Sequence, residues 1–286
     1  MTNQETRLFP IDDFVIGYRA QTGWGFPIVL YLFFSGTGAG IFLLSLFLHS
    51  TLGILLDLLF LGIGAIILFF DLGQPWRFWK AFAKPGSSWI SRGTFLITIL
   101  FAFDLIYALA GFPLLPKLVS LILGAVGVLV LLYPGLVISY SPSIPSWNHS
   151  LIPILFAVHS LANGISLSLL LANPSGEGQG LYPLLLGSLV FLLISTGIFL
   201  HLSFASTSGS RESVRLLVRG RMRGLFLILG VGLGILAPIV LLLVFLSVSG
   251  KTGQTVILML VFLLRLAGDI GFRTAILKTG LYEPFI

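Results

Sequence analysis

Apolar residues along this sequence form long unbroken runs, not an alternation. Eight runs stand out, at 27–48, 52–70, 90–110, 114–138, 151–171, 182–202, 224–248 and 255–277. Each is near the ~20 residues that a helix needs to cross a hydrocarbon core. Every position from Leu236 to Leu246 is apolar, which is foreign to the two-residue period of a membrane β-barrel. The pattern predicts an all-α integral membrane protein with eight transmembrane helices. Residues 1–25 carry Glu5, Asp12 and Asp13 and make a poor basic leader. They are expected to stay on the mature protein as an interfacial segment, with Trp24 at headgroup level.

Composition narrows this picture. Of 286 residues, 57% are hydrophobic and 9% charged, too few charges to cover a water-facing surface. A soluble enzyme, a nucleic-acid-binding module and a disordered polypeptide are thereby excluded. The protein has no cysteine, so it forms no disulfide and ligates no iron–sulfur cluster through thiolates.

The basic residues are distributed unevenly about the spans. Arg7, Arg19, Arg77, Lys80, Lys84, Arg92, Arg211, Arg215, Arg219, Arg221, Arg223, Arg273 and Lys278 fall on the side of the N-terminus, against Lys117 and Lys251 opposite. The positive-inside rule predicts a multi-pass protein of the cytoplasmic (inner) membrane with both termini in the cytoplasm. The basic 211–223 loop either sets topology alone or also docks a soluble partner or anionic lipid.

The two halves resemble each other. Gly36-x-x-x-Gly40-Ile41 parallels Ser160-x-x-x-Gly164-Ile165, and Arg92-Gly93 opening the third run parallels Arg223-Gly224 opening the seventh. This predicts two parallel four-helix bundles, 1–142 and 143–286. Glycine pairs such as Gly36/Gly40 and Gly230/Gly234 read as sites of close helix packing.

Ionisable groups at membrane depth are costly and draw attention first. Arg265, Asp269 and Arg273 follow one another at four-residue steps on one helix face. Arg265 either pairs with Asp269 to lock the bundle or belongs to a proton path, with Asp104 as its alternative partner. Asp57 and Asp104 fall in the outer half of the membrane and His159 in the inner half. Asp57, Asp104, Arg265 and Asp269 are the candidate proton-path residues. A bundle haem needs two histidines at matched depth; here only His159 and His201 share a side, so no haem or metal is expected in this protein.

Three segments gather on the side of the N-terminus. The loop after the second run reads Asp71-Leu72-Gly73-Gln74-Pro75-Trp76-Arg77-Phe78-Trp79, with Asp71 and Arg77 bracketing a turn. The fourth run contains Tyr133-Pro134-Gly135, where proline is expected to break the helix. A loop Pro145-Ser146-Trp147-Asn148-His149 precedes the fifth run. With Gln21 and Trp24, these segments predict an apolar cavity with polar groups at its mouth, suited to a lipid-soluble ligand with a polar head; the bland alternative is an aromatic belt.

Together these pieces resemble the NrfD-type family of membrane subunits, which includes the membrane subunit of polysulfide reductase. The resemblance rests on Tyr31 to Ser45, Asp71-Leu72-Gly73-x-Pro75-x-Arg77-Phe78, Tyr133-x-Gly135, Trp147-Asn148-x-x-Leu151-x-Pro153 and Arg265, spread over nearly the whole sequence. It implies a membrane anchor exchanging electrons between the quinone pool, menaquinone or ubiquinone, and a partner iron–sulfur subunit of the four-cluster, ferredoxin-like kind. A molybdopterin catalytic subunit usually completes such a complex, and proton translocation is an open extension. Carried over from the family, Tyr133 is the head-group contact, with the start of the first run beside it. From the chemistry of the residues, His159 or Asp71 is the expected proton relay, Arg77 orients Asp71 or helps the partner dock, and Gln21, Trp24 and Asn148 are expected to line the site. Two departures stand out. Trp24-Gly25-Phe26 stands where some members have a histidine, and the charge pattern puts the Tyr133 end inside, whereas well-known members serve subunits outside the cytoplasm. A secondary transporter built from parallel repeats is the rival reading, and it requires broken helices around a mid-membrane site.

Overall fold

The computed structural model describes residues 17–110, 116–172 and 180–283; the expectations for residues 1–16 lie outside them. The first spans are α1 (Phe26–Leu48), α2 (Thr51–Asp71), α3 (Trp89–Ala110), α4 (Lys117–Ser139), α5 (Leu151–Ala172) and α6 (Leu181–Ala205). A short α7 (Ser208–Val218) follows. The seventh span is a π-helical segment (Gly224–Leu236) continued by α8 (Ala237–Phe245), and α9 (Lys251–Lys278) is the last. Among the described residues, eight spans are long and apolar enough to cross a membrane. The fold is that of an all-α, multi-pass membrane protein.

Helix ends follow local chemistry. Pro27 occupies the first turn of α1, where its missing N–H costs nothing, and the Ser50 hydroxyl caps α2 by accepting from Gly53 N at 3.2 Å. Pro116 is the N-cap of α4, whose first residue is Lys117. Pro134 does not break α4, which runs on to Ser139. A transmembrane helix tolerates such a proline when neighbours support the backbone, and here Gly135 lies flush against Pro153 and Ile152 of α5. Two stretches expected as loops are helical: Pro75–Phe82 is a 3-10 helix, and much of the basic 211–223 segment belongs to α7.

The helices α1 and α5 form the centre; most of their residues are buried, whereas α2, α3 and the seventh span turn most of theirs outward. They meet through the very residues of the sequence repeat. A Cβ on Gly36 would strike the Ser160 hydroxyl, one on Gly40 the Ser160 carbonyl, and one on Gly164 the Gly40 carbonyl. This crossing therefore brings two backbones into direct contact, which only small residues permit. Gly234 of the π segment meets Gly268 of α9 in the same way. Around this centre α1 also packs on α2, α4 and α9, and α5 on α4, α6 and α9.

A two-stranded antiparallel ribbon joins the ends of the described structure, β1 (Arg19–Ala20) to β2 (Leu281–Tyr282). It lies where α1 begins and α9 ends. Glu283 then caps α7, accepting from Ser208 Oγ at 3.0 Å and Gly209 N at 3.2 Å.

Candidate functional site

On the ribbon side, two tyrosines from different helices meet inside the protein. Tyr31 of α1 and Tyr133 of α4 are both buried, their hydroxyl oxygens 3.4 Å apart and their rings edge to face. Gly93 of α3 leaves room for the outer edge of the Tyr133 ring, which a Cβ would overlap. Both tyrosines lie about 8–9 Å along the axis from the helix end on this side, at ~1.5 Å per residue. The mutual contact spends one of the two O–H hydrogens. The other meets no acceptor among the described residues. Tyr31 escapes the sequence reading because nothing local shows that α1 turns it towards α4.

Gln21 and Trp24 serve the end of α9. The Gln21 amide donates to Leu277 O at 2.9 Å and Trp24 O at 3.2 Å, and its oxygen accepts from Trp24 N at 2.8 Å. Trp24 packs edge-on against Trp147, whose indole donates to Ile276 O at 3.0 Å. Asn148, next to Trp147, is exposed. Asp71 and Arg77 are also exposed and form no ion pair or side-chain hydrogen bond with each other. His149 accepts from Leu151 N through Nδ1 at 3.1 Å, and partial burial lowers its pKa, favouring the neutral, accepting ring.

Deeper, about 12–20 Å from the same surface by helical rise, lies a buried polar network. Asp269 accepts from Arg273 Nε at 2.7 Å and from Asn163 Nδ2 at 2.9 Å, and Asn163 also donates to Thr37 Oγ1 of α1 at 3.0 Å. The expected Arg265–Asp269 pair does not form. Arg265 instead donates to Gly234 O and to His159 O, and meets His159 Nδ1 at 3.1 Å. Gly234 lies in the π-helical segment at its close contact with Gly268 of α9, which brings its carbonyl within reach of Arg265 on the same helix as Gly268. His159 belongs to this network, with Nδ1 3.7 Å from Asp269 Oδ1 and its ring tilted against that of Phe272, and not to the tyrosine pair. Arg273, counted by sequence among the basic residues at the membrane surface, is fully buried.

Asp104 is not a partner of Arg265 either. It faces Asp57, and among the described residues the two buried carboxyl groups meet no donor other than each other. His159 and His201 separate completely, one buried at the centre and the other exposed on α6. Among the described residues no three ligating side chains gather as a metal site.

Against known proteins, the family model described as polysulphide reductase, NrfD, matches residues 15–283. The chain belongs to the NrfD family. Protein NrfD of Escherichia coli is 28% identical, with 76% of this sequence and 83% of that protein aligned. The C subunit of polysulfide reductase from Wolinella succinogenes is 25% identical over 90% of this sequence and 94% of its own length. A protein NrfD homolog of Haemophilus influenzae is 25% identical over 55% and 61%. Membership of the NrfD family makes the protein a membrane subunit of an oxidoreductase complex. The tyrosine pair, the Gly36/Gly40 crossing and the Asp71–Arg77 segment all lie within the matched residues.

Proposed function

We propose that this protein is the anchor through which a respiratory complex exchanges electrons with menaquinone or ubiquinone. One observation carries the reading: two buried tyrosine hydroxyls from α1 and α4 share a single hydrogen bond and keep one O–H free to donate. A quinone carbonyl is the acceptor that suits such a donor at this depth in a membrane. Its isoprenoid tail would lie in the bilayer, and the small Gly93 keeps α3 close to the phenol.

Quinol oxidation releases two electrons and two protons. The protein has no cysteine, so the electrons pass to a partner, which we take to be an iron–sulfur subunit of the four-cluster kind, with a molybdopterin subunit beyond it. The relative from polysulfide reductase, named as one component of that enzyme, supports a multi-subunit setting. Tyr133 holds the head group by its hydroxyl, and Tyr31 orients that hydroxyl. Asp71 and Arg77, exposed on the same side, act at the surface, in proton exchange or docking. The buried network reaching Arg265 is the candidate for proton movement across the membrane. We place both termini in the cytoplasm of a cell whose inner membrane holds the complex, with α1–α4 and α5–α9 as the two bundles.

Replacing Tyr133 with phenylalanine tests the reading, because it keeps the ring and removes the hydroxyl. Quinol-dependent turnover in membranes should fall about five-fold or more, the equivalent of one hydrogen bond of about 1 kcal/mol, with unchanged protein level. Unaltered quinol kinetics would overturn it.

A further inference from the structure

Arg273 does more than pair with Asp269, whose second oxygen also accepts from Nη2 at 3.3 Å. Its guanidinium reaches three helices. Nε donates to Asp269 Oδ1 at 2.7 Å on α9 itself, Nη2 to Ser160 Oγ at 2.7 Å and Phe156 O at 3.1 Å on α5, and Nη1 to Leu32 O at 3.2 Å on α1. The guanidinium also lies 4.6 Å from the centre of the Phe156 ring. Leu32 directly follows Tyr31 in sequence. By helical rise Arg273 sits about 8 Å from the surface, the depth of both tyrosines.

We propose that Arg273 is a positioning residue for the head-group site, fixing α1 so that Tyr31 reaches Tyr133; this rests on reading the tyrosine pair as that site. The need for such a tie follows from two features. The 3.4 Å separation of the hydroxyls is longer than the usual O–H···O range, so the contact is weak and a small rotation or slide of α1 makes or breaks it. The α1/α5 crossing is made of Gly36, Gly40, Ser160 and Gly164, a smooth face on which Asn163 ties Thr37 more than a turn deeper than Tyr31. The Leu32 carbonyl, held by a guanidinium that is itself anchored on α5 and α9, sets α1 at the depth of Tyr31 itself. Lysine keeps the charge opposite Asp269, but its single nitrogen cannot span acceptors on three helices.

The test uses the full-length protein in nanodiscs and follows binding of 2-heptyl-4-hydroxyquinoline N-oxide, a quinone-site probe, by quenching of its fluorescence. Tyr31→Phe and Arg273→Lys should each weaken binding about five-fold. The double variant should be no weaker than either single one, because both remove the same setting of Tyr31. Ser160→Ala removes one anchor of Arg273 and should weaken binding in the same direction by less; it replaces Arg273→Lys in the cycle if the lysine variant does not accumulate. A structural role alone lowers the melting temperature with no dependence on the Tyr31 hydroxyl. Wild-type affinity in Arg273→Lys, or losses that multiply in the double variant, would overturn the proposal. Wild-type affinity in both Tyr133→Phe and Tyr31→Phe would instead overturn the head-group reading, a separate result.

Discussion

Asp269 turns to Arg273, one helical turn towards the surface, and not to Arg265, one turn deeper. Its carboxylate is completed by Asn163, while Arg265 is held by the Gly234 carbonyl and His159. The pair is fully buried, so its two charges depend on each other. Removing one alone, as in Asp269→Leu or Arg273→Met, should cost about 3–5 kcal/mol by stranding the other. Removing both together should restore much of that. Protein level and melting temperature in detergent, followed by fluorescence-detected size exclusion, measure this; a double variant as unstable as the worse single one would show that the carbonyl and hydroxyl contacts dominate.

The α1/α5 crossing has no room for a methyl group. Gly40→Ala places a carbon against the Ser160 backbone, which no side-chain rotation relieves. A loss of about 3 kcal/mol or more is expected, at the upper end for overpacking. Gly187→Ala is the matched control, since a Cβ there meets nothing within 4 Å. It should be neutral or stabilise α6 by up to about 1 kcal/mol through helix propensity. Comparable melting temperatures for the two variants would contradict the direct backbone contact.

Asp57 and Asp104 offer a prediction of opposite sign. Their oxygens are buried with no donor but a proton that the two can share. Asp57→Asn replaces that proton with a fixed amide N–H facing the Asp104 carboxyl and removes one buried acid, and it should raise stability by about 1 kcal/mol. A lowered melting temperature would mean that the shared proton holds the pair better than an amide does.

The absence of natural cysteine makes the orientation directly measurable. Single cysteines at 215, on the exposed face of α7, and at 251, at the start of α9, can be probed with a membrane-impermeant maleimide. In intact spheroplasts the 251 position should label and the 215 position should label only after lysis. The reverse pattern would invert the predicted topology and place the tyrosine pair outside the cytoplasm.

What the sequence determined by itself is what depends on neighbours along the polypeptide. Eight runs of sufficient length and apolarity specify eight spans, because the bilayer demands the same of every crossing helix. The glycine pairs at 36/40 and 230/234 marked close helix packing in the same local way, though not which helix each would meet. The pairing of charges was not legible, because Arg265 and Arg273 stand at equal distance from Asp269 along α9. The choice was made by what surrounds each guanidinium: carbonyls and a hydroxyl from α1 and α5 around Arg273, and the carbonyls of Gly234 and His159 beside Arg265. Tyr31 is the same case, an ordinary aromatic in a span until the packing of α1 on α4 sets its hydroxyl against that of Tyr133. Span formation is a property of one segment and its solvent, whereas a buried polar contact depends on the relative rotation of several helices, which only the packed protein decides.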